Sequence, residues 1–384
     1  MTEADLELNA VKEKRSVFKD VVIKNYHPIW NVAFMSTGIC SGILFRFPYE
    51  IGVFRIFGLI MWAVSLSLFI MVNVFLFLKM HWFRGFTYQL ATDIQLNLFL
   101  GPYSMGFSTI INMIHMITDH YDKSFKIGLV IMWFINFTMA LLCGWVLVFV
   151  LLWKSKIEQF QLNPQLILPV LPLTVCGSSG AFICGAFTGY SSRIQLLLII
   201  LTYLLWANSM MLGFSLIAIF IWKMLVYKLP PKQLIFTPFA PIGLIGHGVW
   251  GILLNGSNLN LYLGSQDTHF PVDPRLLGLG VQYVTGMVAL FLIAVGFFFT
   301  FLGLAMWIVY GLPAFNRTYW IVPFPVCALS LGITEFYNIF HIEAFRVVGT
   351  IYAVFGILMV LACLAGSVLF EVPYSEIKSY RCKE

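Results

Sequence analysis

The chain has 384 residues, of which 60% are hydrophobic and only 10% charged, where a soluble domain carries about 25% charged. That balance excludes a soluble enzyme, and apolar stretches of membrane-spanning length recur along the chain. The formal net charge of +6 fits basic loops at a membrane face and gives no reason to expect a nucleic-acid partner.

Ten apolar spans are expected, at about 30–47, 54–80, 98–117, 125–153, 164–189, 194–227, 236–255, 279–310, 319–339 and 345–371. Residues 1–25 are charged throughout with no apolar core, so no cleavable signal peptide is read there. The division is a tail over 1–26, a membrane domain over 27–371 and a second tail over 372–384. Loops are short, and the longest, 256–278, is polar with no domain of its own.

Prolines sort the spans into two kinds. The even spans hold none of the 16 prolines. Every odd span has one or more within it or at its entrance: Pro28, Pro102, Pro164, Pro169, Pro172, Pro238, Pro241, Pro323 and Pro325. Proline removes a backbone donor and kinks a helix, and the freed carbonyls find partners only among other helices. The expected arrangement puts broken odd helices inside, around a pathway, and longer even helices outside against lipid. A plainer alternative is that these prolines mark helix starts.

Lysines and arginines set the orientation. With the N-terminus cytoplasmic, the inner segments hold 16 of the 23 and the outer ones seven, namely Arg46, Arg55, Lys123, Lys126, Arg193, Arg275 and Arg346. Both termini are therefore expected inside.

The chain contains no P-loop, no H-E-x-x-H and no paired-carboxylate site, and no nucleophile, base and orienter fall together in any span. An enzyme is not expected, nor is a cofactor or a metal. The seven cysteines are scattered without ligand or redox spacing and read as small core residues. None of the odd spans carries Lys or Arg near its middle, where a charge usually marks a pathway. They offer Ser36, Thr37, Ser104, Ser108, Thr109, Asn112, Thr174, Ser178, Ser179, His247, Ser330 and Thr334. These weak dipoles suit a solute path with apolar constrictions, and they equally suit helix packing. His115 and His247 stand alone in apolar helices with no second ligand one turn away. His247 lies among Gly246, Gly248 and Gly251, so either a structural or a pore-facing role is open to it. The pattern Phe54-Arg55-x-x-Gly58 returns as Phe345-Arg346-x-x-Gly349. Arg55 and Arg346 are expected as a positive outer rim, with Glu50, Glu335 and Glu343 as candidate partners.

Three segments carry a family resemblance. They are Leu100-Gly-Pro-Tyr-Ser-Met-Gly-Phe-Ser-Thr-Ile-Ile-Asn112, then Pro241-Ile-Gly-Leu-Ile-Gly-His-Gly248, then Phe324-Pro-Val-Cys-Ala-Leu-Ser-Leu-Gly332 with Ala344-Phe-Arg-Val-Val-Gly-Thr-Ile-Tyr352. They resemble the fungal sulfite efflux pumps of the tellurite-resistance/dicarboxylate transporter family, which includes plant slow anion channels and fungal malic-acid transporters. The resemblance covers about residues 27–370. It implies an all-α membrane protein of ten helices in five hairpins, pseudo-fivefold around a central pore, assembled as a homotrimer in the plasma membrane. It also implies that Phe324, just before Pro325, is an aromatic gate, with its backbone expected to bend there. His247 and Cys327 depart from the pumps' pattern of Gln and Gly. The implied substrate is a small inorganic anion, sulfite or hydrogen sulfite, moved without ATP. A C4-dicarboxylate carrier and a nitrate or chloride channel are the alternatives.

Overall fold

The computed structural model describes residues 18–49, 51–118, 123–154, 163–265 and 273–371, and among them every regular element is helical. The longer helices among the described residues form the body. They are α1 (Asn31–Phe45), α2 (Gly52–Trp82), α3 (Leu100–Thr118), α4 (Lys123–Leu141, continued by a wide turn Leu142–Leu147 and by Val148–Lys154), α5 (Leu171–Cys184), α6 (Ser192–Tyr227), α7 (Ala240–Gly264), α8 (Pro274–Tyr310), α9 (Pro323–Phe340) and α10 (Glu343–Gly366). Two short helices, Phe86–Thr92 and Ile94–Asn97, join α2 to α3.

Eight of these helices, with their entry and exit turns, are long and apolar enough to cross a bilayer. The protein is a multi-pass membrane protein. The two exceptions are α3 and α5. The first is diluted by Ser104, Ser108, Thr109, Asn112 and His115, and the second, taken as Leu171–Phe187, is apolar but short. In lipid an inner helix can be short or polar only where neighbours shield it; α5 is almost wholly buried, and α3 has no exposed residue.

Burial divides the helices as the prolines do, except that outer helix α8 also opens on a proline, Pro274. In α7 94% of the apolar window is buried, against 17% in α2. The inner helices close a ring: α1 packs on α3, α3 on α5, α5 on α7, α7 on α9, and α9 returns to α1. Their starts adjoin as well. Asn31 Nδ2 donates to the Phe99 carbonyl at 2.9 Å, and the Arg317 guanidinium lies over the Trp30 ring at 5.9 Å. Gly101 of α3 lies against the Leu168 carbonyl before α5, the 3-10 turns before α5 and α7 touch, and Phe236 before α7 lies 4.4 Å, centroid to centroid, from Tyr319 before α9, so the five run parallel. Gly246 lets α7 reach the α9 backbone, where an added Cβ would collide with the Leu329 backbone nitrogen.

The outer helices are stitched to carbonyls of the inner ones. Ser65 Oγ donates to the Phe34 carbonyl at 3.0 Å, Trp133 Nε1 to Cys176 at 2.9 Å and Trp206 Nε1 to Gly248 at 2.8 Å. The six cysteines within the described residues are buried and unpaired. Cys382 lies outside the described residues.

One expectation is corrected. The prolines do not kink helix interiors. Pro172 and Pro241 occupy the first turns of α5 and α7, and Pro323 and Pro325 open α9. There the missing N–H has no helical partner to lose. The break comes earlier. Inner helices α1, α5, α7 and α9 are each preceded by a 3-10 turn, at Pro28–Trp30, Pro164–Ile167, Thr237–Phe239 and Arg317–Ile321. Three of these turns are capped by side chains: His27, Asn163 and Asn316 accept from the N–H two residues on.

Candidate functional site

A cavity of about 80 Å³ lies within the ring, and all five inner helices contribute to it. Its wall includes Gly38, Gly42 and Arg46 from the α1 end, Thr109, Asn112 and Met116 from α3, and Phe182 from α5. His247 and Trp250 of α7 and Leu331, Thr334, Glu335 and Asn338 of α9 complete it. Polar residues on this face come from small side chains because the ring is tight: a Cβ on Gly38 would meet the Thr109 hydroxyl.

The deep end of the cavity is marked by His247, whose ring stacks on Phe324 with centroids 5.3 Å apart and planes 22° apart. Both side chains are 1% exposed. The backbone at Phe324 does not bend. Phe324 lies inside α9, with the Val326 N–H bonded to the Val322 carbonyl at 3.3 Å. The first turn of a helix tolerates the residue pair because Pro325 clashes with nothing before it. His247 Nδ1 is 2.9 Å from Ser178 Oγ, and its Nε2 is buried without a protein partner.

The other sequence-derived residues divide clearly. Thr109, Asn112, His247, Thr334 and Glu335 reach the cavity, and Ser179 supports it by donating to Asn112 Oδ1 at 2.6 Å. Ser178 supports it through His247. Ser104 and Ser108 are taken up in packing. Ser104 Oγ donates to Asn136 Oδ1 at 2.9 Å, and Asn136 Nδ2 donates to Ser108 Oγ at 2.6 Å, so both face outer helix α4. Thr174 pairs with Ser209 of α6, and Ser330 donates to the Gly349 carbonyl of α10 at 2.8 Å. Thr37 bonds back to the Ala33 carbonyl at 2.9 Å, while Ser36 is fully buried with its hydroxyl unpaired. His115 is buried edge-on to Phe182, with centroids 4.8 Å apart.

The expected rim of Arg55 and Arg346 lies off the cavity wall. Arg55 sits over the Phe45 ring at 4.9 Å. Arg346 sits over Tyr49 at 4.1 Å, donates to the Pro48 carbonyl at 3.1 Å and lies 3.6 Å from Glu343. Glu50 lies outside the described residues. The cation that reaches the cavity is Arg46, over the Phe182 ring at 5.0 Å. Glu335, which takes a 3.4 Å hydrogen bond from Asn338, is the acidic group of the same wall. Arg46 was legible only as the first charge after an apolar span, together with Phe182 and Trp250, which carried no signal among so many aromatics.

A ring of parallel inner helices around a small cavity, sheathed by apolar outer helices, is the architecture of a membrane pore or carrier. The sequence matches the family described as voltage-dependent anion channel, SLAC1, over residues 25–368, and the chain belongs to that family. Among individual proteins it is similar to the sulfite efflux pump SSU1 of Saccharomyces cerevisiae, 28% identical over 89% of this chain and 86% of that one. The protein of the same name from Candida albicans is 27% identical over 93% of this chain and 76% of its own length. That from Arthroderma otae is 24% identical over 87% and 88%.

Proposed function

We propose that the protein exports sulfite, as the hydrogen sulfite monoanion, across the plasma membrane. The observation that carries this reading is the cavity itself. It is small, lined by hydroxyl, amide and aromatic groups, and within it Arg46 is offset by Glu335 on the same wall. Such a path discriminates by the cost of dehydration and by diameter, which favours a small monoanion over a dianion. The names of the relatives, carried by sulfite pumps in several fungi, support the same substrate. Without an ATP site, export runs down the electrochemical gradient, and an inside-negative potential drives anions outward.

In this reading α1–α10 are ten spans in five hairpins, pseudo-fivefold about the cavity axis, with both termini cytoplasmic. Phe324 is the gate at the deep end of the cavity, and the apolar outer surface serves both lipid and a trimer interface. The parallel inner ring and the burial contrast between inner and outer helices support this arrangement.

The test is anion flux from proteoliposomes under an imposed inside-negative potential, with sulfite, malate, nitrate and chloride compared side by side. Sulfite efflux well above malate is expected. Malate efflux without sulfite would replace the reading with a dicarboxylate carrier, and nitrate or chloride current without sulfite would replace it with an anion channel.

A further inference from the structure

Ser178 makes two contacts with one proton. Its Oγ is 3.0 Å from the Val175 carbonyl and 2.9 Å from His247 Nδ1. The carbonyl can only accept. Both contacts are hydrogen bonds only when Ser178 donates to Val175 and His247 donates from Nδ1 to Ser178. In a neutral imidazole the other nitrogen then bears a lone pair and no proton. That nitrogen, Nε2, is buried and has no protein partner. An unsatisfied acceptor of this kind is costly to keep unless something fills it. It belongs to a residue of the cavity wall, stacked on Phe324 and 5.9 Å, centroid to centroid, from the ring of Trp250. The charged groups of that wall are Arg46 and Glu335.

We infer that His247 is a specificity-determining residue whose Nε2 lone pair accepts a hydrogen bond from the proton of a passing monoprotonated anion. The inference rests on the sulfite-export reading, where that anion is hydrogen sulfite. A lone pair repels an anion that has no proton to offer. The sulfite dianion, nitrate and chloride all fall in that group, and each would leave the acceptor unpaired while also meeting its negative end. A site built around a hydrogen bond rejects ligands lacking the matching group far more strongly than a pocket rejects a change in size. No proton is transferred. The anion keeps its proton as it passes, and the ring keeps its own on Nδ1.

Two variants and one spectrum test this. His247→Gln replaces the fixed acceptor with an amide that can turn its N–H toward an anion. Ser178→Ala removes the acceptor that holds the proton on Nδ1, so the ring can present Nε2–H. In proteoliposomes, with flux normalised to assembled protein, the nitrate-to-sulfite flux ratio is expected to rise at least tenfold in each. Should His247→Gln fail to assemble, Ser178→Ala carries the flux test. Separately, ¹⁵N spectra of histidine-labelled protein should show His247 as the Nδ1–H tautomer in the wild type. A ratio within twofold of wild type in the assembled variants, or an Nε2–H tautomer in the wild type, overturns the inference while leaving sulfite export standing. A wild-type protein that passes nitrate but no sulfite overturns the export reading and the inference together.

Discussion

Truncation of Phe324 separates a gate from a packed ring, and Phe239 supplies the control. Both rings are effectively fully buried, at 1% and 0% exposure. Phe239 packs against Trp307 of α8 at 5.3 Å and over Gly303, between an inner and an outer helix. Phe324 instead stacks on His247, which lines the cavity. Phe239→Ala should cost about 3–5 kcal/mol through lost burial and an empty hole, seen as less assembled protein with unchanged flux per assembled molecule. For Phe324, burial of the ring stabilises the closed position by about 1.5–3 kcal/mol. That corresponds to a closed-to-open ratio of about 10–100, since each 1.4 kcal/mol is roughly tenfold. Phe324→Ala should therefore raise sulfite leak per assembled molecule by about 10–100-fold. The assay is efflux from proteoliposomes, normalised by gel filtration to assembled protein. Unchanged or reduced flux in Phe324→Ala would refute the gate.

Four other outcomes are expected. Gly246→Ala should lose assembled protein, at a cost of about 1–3 kcal/mol or more, because its Cβ would collide with the α9 backbone at Ala328 and Leu329. Gly128→Ala, with nothing within 4 Å of the new carbon, should instead stabilise by about 0.5–1 kcal/mol; equal thermal retention of the two variants would contradict the packing described. Asn136→Leu strips Ser104 and Ser108 of their partner and should cost about 1–3 kcal/mol, part of which the added changes Ser104→Ala and Ser108→Ala recover; a neutral single variant would count against this network. His27 is held below its ordinary pKa of 6.5, first by burial and then by Arg317 and Lys79, and its Nδ1 caps Ile29. Its contribution is complete above pH 6.5 and is lost as pH falls toward the lowered value, so His27→Asn should flatten the loss of thermal stability between pH 7.5 and 5, and parallel profiles would dismiss the effect. In the proposed topology Cys382 should react with an impermeant thiol reagent only after permeabilisation, and labelling of intact cells would reverse the orientation.

What the sequence made legible follows from what is local. The division into inner and outer helices was readable because a proline-rich entrance and a proline-free outer span are properties of contiguous segments, and burial repeats that division. The repeated F-R-x-x-G was readable as a motif, but its meaning was not. Gly58 lets α2 approach the Phe45 backbone, and Gly349 lets α10 approach Thr334, while each arginine lies over an aromatic ring of the preceding helix, Arg55 over Phe45 and Arg346 over Tyr337. That role depends on a neighbour whose position no local pattern specifies. The serines failed for the same reason. Ser104 and Ser108 lie one turn apart on a helix that also holds Thr109 and Asn112, and only the location of Asn136 on α4 decides which pair faces the cavity. Arg46 was read as a loop charge because it follows α1 directly; the closing of the ring by α3, α5 and α9 is what turns it into a cavity residue.

The capped entries at the starts of the parallel inner helices have an electrical consequence. Each helix brings roughly half a positive charge to its first turn and half a negative one to its last. Five parallel helices therefore polarise the path along its axis, with the positive pole at their first turns. In the proposed orientation that pole faces the cytoplasm. In that orientation the positive pole adds to Arg317 and Lys79, which lie near His27 at the same end, in drawing anions to the inner mouth, and Arg46 stands at the negative pole, just past the end of α1. With equal anion on both sides and no applied voltage there is no net flow, but the conductance need not be equal in the two directions: such a pore rectifies.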